Sequence, residues 1–97
     1  MASNTYEREH LVVTAVGPDR VGLVEQISNF LLKEGCNIED SKMAVFAGEF
    51  AIIVLIKGEP TGLARISQKY REIEKETGLS IAIKAPVQRK TAEFFLP

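Results

Sequence analysis

One cysteine, one histidine and no tryptophan occur among 97 residues. With Cys36 alone, no intrachain disulfide and no multi-cysteine zinc site can form, which fits a reducing, cytoplasmic setting. His10 has no cysteine or carboxylate beside it at a ligand spacing, so it reads as a surface residue at a strand end and not as a metal ligand. An excess of charge of one sign is also missing: 12 Lys and Arg against 13 Asp and Glu leave a net charge of −1. Such a balance carries no electrostatic footprint for nucleic acid or an anionic membrane, so neither is expected as a direct partner. The longest apolar run, 50–56, is far short of the ~20 residues that span a bilayer as a helix. Residues 1–8 lack the apolar stretch of a signal peptide.

What the chain does have is patterning. Apolar residues make up 45%, enough for one core, and the length suits one domain over 1–97. The valine-rich run 10–16 reads as a strand. Leu23, Ile27, Phe30 and Leu31 make a helical stripe over 20–34, closed by Lys33 in the last turn and Gly35 just beyond it. Residues 37–46 form a second strand, polar at its start. Ala47-Gly48-Glu49 connects it as a hairpin to a third strand, 50–57. Leu63, Ile66, Tyr70, Ile73 and Thr77 mark a second helix over 61–77, ended by Gly78, with Arg71, Glu72, Glu74, Lys75 and Glu76 as its solvated face. A last strand, 79–84, alternates apolar and polar until Pro86. The order βαββαβ predicts a ferredoxin-like α+β sandwich, a four-stranded antiparallel sheet in the order 4-1-3-2 with two helices on one face. The core falls within 10–84, and 1–8 and 85–97 read as tails.

Two helices cover one sheet face, yet the third strand is apolar on both: Phe50, Ile52, Val54 and Ile56 on one side, Ala51, Ile53 and Leu55 on the other. The first strand behaves alike, with Leu11, Val13 and Ala15 against Val12, Thr14 and Val16. An open face of that kind predicts self-association or docking to another domain. The competing expectation is that Phe94, Phe95 and Leu96 fold back over it.

Between the first strand and first helix lies Gly17-Pro18-Asp19-Arg20-Val21-Gly22. A tight loop feeding a helix leaves backbone N–H groups free at a positive dipole end, suited to a carboxylate or another small polar ligand. Asp19 reads first as the N-cap, worth about 1 kcal/mol, with contact to a ligand amino group as the alternative. Arg20 is either a two-pronged carboxylate clamp or a solvated charge. Gly22 allows close backbone approach. Asn37 offers a donor and an acceptor to an amino acid, or serves as a turn residue after Gly35. Cys36 reads as a structural thiol, without a base to make it a nucleophile.

Asp19-Arg20-Val21-Gly22 before a helix, followed by Gly35-Cys36-Asn37-Ile38-Glu39-Asp40-Ser41, resembles the ACT domain family, whose pattern is D-R-P-G and then G-x-N-I-x-D-S. The resemblance covers about residues 10–84, and Val21 stands where the family usually has proline. Repressor-like members typically carry two such domains in tandem; here a dimer would replace the pair. The resemblance implies a non-enzymatic regulatory module that needs no cofactor. It implies a homodimer binding an amino acid or similar small metabolite between paired domains and acting on a regulated protein partner. It also implies a ligand site at Gly17, Asp19, Arg20, Val21, Gly22, Asn37 and Ile38. One alternative is a dimerisation or interaction domain with no ligand. Another is an acylphosphatase-like hydrolase, whose arginine and asparagine Arg20 and Asn37 superficially match but whose phosphate-cradling loop GPDRVGLVE does not. An RNA reader of the same topology would need stacking aromatics on the first and third strands, and those strands have only Phe50.

Overall fold

The computed structural model describes residues 9–86. The expected tails, 1–8 and all but the first two residues of 85–97, lie outside that range, as do Phe94, Phe95 and Leu96. Six elements follow in chain order: β1 (His10–Pro18), α1 (Leu23–Lys33), β2 (Asn37–Phe46), β3 (Glu49–Lys57), α2 (Pro60–Thr77) and β4 (Ser80–Lys84). The strands form one antiparallel sheet in the order β2-β3-β1-β4, the expected order read from the other edge.

Both helices bury the predicted stripes: Leu23, Ile27 and Leu31 from α1, and Leu63, Ile66, Ile73 and Thr77 from α2. They pack on Val13 and Ala15 of β1 and on Phe50, Ile52, Val54 and Ile56 of β3. Each large aliphatic side chain so enclosed contributes about 1.5–3 kcal/mol. The opposite sheet face carries Val12, Thr14 and Val16 beside Leu55, Ile53 and Ala51. Ile53 remains 52% and Val16 48% exposed there, as the doubly apolar pattern predicts.

Beneath the α1–β2 junction, Cys36 is buried as a structural thiol, and burial together with the charge of Glu34 pushes its pKa up. Glu34 closes α1 at 7% exposure and binds two cations of α2, Arg65 Nε at 2.8 Å and Lys69 Nζ at 3.3 Å. Those hydrogen bonds, Arg65 first, hold the carboxyl below the usual carboxylate range against the opposing effect of burial.

Several boundaries and local roles differ from expectation. β1 runs on to Pro18 because Gly17 and Pro18 stay in register with Phe50 and Glu49. α1 begins at Leu23, not at 20, because Gly22 at φ 91° takes the cap position in a left-handed conformation. His10 is not a surface residue: it is 4% exposed, with Nε2 3.9 Å from Glu39 Oε1. Glu39 reaches it from a register shift between Ile38 and Asp40, where β2 holds one residue more than β3. Glu74 leaves the solvated face of α2 and accepts the backbone N–H of Ile81 at 2.7 Å, tying α2 to β4.

Candidate functional site

The β1–α1 loop is strung between two other parts of the molecule. The Asp19 N–H donates to the Gly48 carbonyl at 3.0 Å, which fastens the loop to the β2–β3 turn. Arg20 Nη2 donates to the Glu76 carbonyl at 2.7 Å, in the last turn of α2, where a cation also offsets the negative dipole end. Neither residue plays the ordinary role first read for it. Asp19 makes no cap, since no side chain caps α1 and the cap residue lies three positions on at Gly22. Arg20 is not a loose solvated charge, because its guanidinium holds a helix end.

The glycines give the loop its path. A Cβ at Gly17 would stand 2.8 Å from Leu79 Cδ2 and 3.0 Å from the Gly78 carbonyl oxygen, so any side chain there would push on the α2–β4 turn where β1 passes it. At Gly22 space is open, and its positive φ alone disfavours a side chain. Beyond it, α1 starts with N–H groups that no side chain caps and with Glu25 in the first turn.

Beside this loop runs a groove of about 450 Å³, lined by Asp19, Arg20, Gly22, Leu23, Val24, Glu25, Met43, Val45 and Phe50. Its wall is the outer edge strand β2, where Met43 and Val45 stand 57% and 53% exposed. Three predicted site residues line it: Asp19, Arg20 and Gly22. Gly17 is half-buried behind it, and Val21 is 95% exposed and outside its lining. Asn37 and Ile38 are not brought to it. They begin β2, level with Lys57 and Ile56, at the sheet end where β1 starts and not where it finishes. From Asn37 to Val45 the strand covers roughly 26 Å at about 3.3 Å per residue. Asn37 lines a separate groove of about 560 Å³ with Glu9, Gly35, Glu39, Lys57, Gly58, Glu59 and Pro60.

The apolar wall of the loop groove was missed from the sequence. The signal was the hairpin register: pairing through Ala47-Gly48 sets Val45 opposite Phe50 and Met43 opposite Ile52, on the helix side of the sheet. No cluster of His, Cys, Asp and Glu able to hold a metal ion occurs among the described residues. Among them, too, no helix is long and apolar enough to cross a membrane.

The fold is thus a βαββαβ sandwich in which a helix start without a side-chain cap lies beside an exposed edge strand. The ACT domain family model matches residues 9–84, and the chain belongs to that family, whose members are small-molecule-binding regulatory modules. It is similar to the glycine cleavage system transcriptional repressor of Escherichia coli (strain K12), 35% identical over 82 residues that make up 84% of this chain and 43% of the repressor. A crystal structure assigned as a glycine cleavage system transcriptional repressor superposes with a TM-score of 0.75 at 34% identity, covering 86% of this chain and 49% of that one. An ACT domain protein from Streptococcus pneumoniae matches in fold, with a TM-score of 0.72 at 20% identity over 93% of this chain and 98% of its own. This chain therefore spans less than half the length of the repressors it resembles.

Proposed function

We propose that residues 1–97 work as one regulatory, non-enzymatic domain that binds an amino acid or similar small metabolite across a homodimer. The observation that carries this reading is the division of the motif residues between the two ends of β2. That strand is one of the sheet's two edges, with no strand on its outer side among the described residues. Antiparallel pairing of two β2 strands about a two-fold axis near Ser41, with the extra residue at Glu39 counted, would set Ile38 of one chain level with Met43 of the other and Asn37 level with Ala44. Each loop groove would then be bordered by the Asn37–Ile38 segment of the partner subunit, Ile38 on the groove's side of the sheet and Asn37 at its rim. The N–H groups at the start of α1 suit the ligand carboxylate, and Asp19 and Glu25 suit its ammonium group. Arg20, Gly17, Gly22 and Val21 shape the loop that presents them. Occupancy signals to a protein partner only where it differs between two conformations.

An acylphosphatase-like reaction needs Arg20 and Asn37 together, and they stand at opposite ends of the sheet within a chain. The buried thiol of Cys36 is compatible with the reducing cytoplasm, where we place the protein. A second reading, an interaction domain without a ligand, is favoured by Ile53 and Val16 on the open sheet face. Light scattering combined with a thermal-shift screen of the twenty amino acids separates the two. The sensor reading expects a dimer whose melting temperature rises with at least one amino acid. A dimer indifferent to all of them at millimolar concentration leaves the interaction domain, and a monomer removes both.

A further inference from the structure

The charge and shape of the loop groove narrow what it would hold. Five of its lining residues, Leu23, Val24, Met43, Val45 and Phe50, are apolar. Met43 and Val45 form an exposed apolar strip along β2 beside the loop. The two carboxylates of the groove, Asp19 and Glu25, belong to the loop and the first turn of α1. Its single cation, Arg20, is committed to the Glu76 carbonyl. Negative side chains would meet two like charges and no unengaged positive one. Glycine or serine has no side chain to set against the Met43–Val45 strip.

We propose that the groove selects an amino acid with a branched aliphatic or thioether side chain, of the leucine and methionine class. The zwitterion sits at the start of α1, between its N–H groups and the carboxylates of Asp19 and Glu25. The side chain lies along Met43 and Val45 toward Phe50. This inference rests on the amino-acid-binding reading above and adds the ligand's chemical class.

Calorimetric titration of the full chain with leucine, methionine, glycine, serine, glutamate and lysine tests it, alongside the variant Val45→Thr. That substitution keeps β-branching on an exposed strand position and replaces a methyl of the strip with a hydroxyl. The expected result is leucine or methionine binding tighter than glycine by about 10-fold or more, at least the discrimination that a single methylene gains in an apolar pocket. Val45→Thr should lower the leucine-to-glycine ratio severalfold with the mass by light scattering unchanged. Glycine or serine binding as tightly as leucine overturns the inference while leaving the amino-acid site standing. So does glutamate or lysine binding tightest, or a ratio that Val45→Thr does not move. Silence toward every amino acid overturns the site itself, and the selectivity with it.

Discussion

Glu34 shows how one side chain can join two helices and set a pH limit. Its carboxylate is buried at the end of α1 and bonded to Arg65 and Lys69 of α2. The fold favours the charged form, so the contribution is present above the ordinary value of 4.5 and is lost as the pH falls through the lower folded value. Glu34→Gln should lower the melting temperature at neutral pH and flatten its decline on acidification, a comparison that thermal unfolding between neutral and acid pH makes directly. The cluster itself was invisible in the sequence, because Glu34 and Arg65 lie 31 residues apart. Asp19 failed for a subtler reason. It is a favoured capping residue, but capping needs the position next to the first helical turn, and the positive φ of Gly22 claimed that position. Residue preference was legible; backbone conformation was not.

At the scale of elements, the β2–β3 hairpin contains a strained residue. Ala47 adopts φ 54° and Gly48 φ 82°, the paired positive angles of a two-residue hairpin turn. A left-handed alanine costs about 1 kcal/mol, and asparagine tolerates that region better. Ala47→Asn should therefore raise stability by about 0.5–1 kcal/mol in chemical denaturation without altering the register. Hairpin, stripes and glycine stops were all readable because each is local. The position of β2 relative to the loop was not local, yet it followed from the predicted strand order. β1 and β2 are each antiparallel to β3, so they run parallel, and β2 must start at the end where β1 starts. The resemblance implies one ligand site drawn from both motifs between paired domains; within a chain, α1 carries the backbone back down the sheet and separates them.

For the molecule as a whole, the proposed site belongs to a pair of chains, and a mixing experiment can show it. Asp19→Ala damages the loop half of a groove and Asn37→Ala the partner half. Each variant alone should bind weakly. Mixed and allowed to exchange, they should recover binding by calorimetry, since each mixed dimer contains one groove with both halves intact. No recovery, with exchange verified by mass, would remove Asn37 from the groove and overturn the shared site. The extra residue in β2 gives this arrangement a reading frame. Ile38 faces Ile56 on the helix side, while Asp40, two positions on, faces Leu55 on the open side. Strict alternation would put both on the same side. Removing the codon for Glu39 would keep every other residue and still exchange the faces that Ile38 and Asn37 occupy, so the length of this edge strand, as much as its composition, fixes what it can offer to a neighbour.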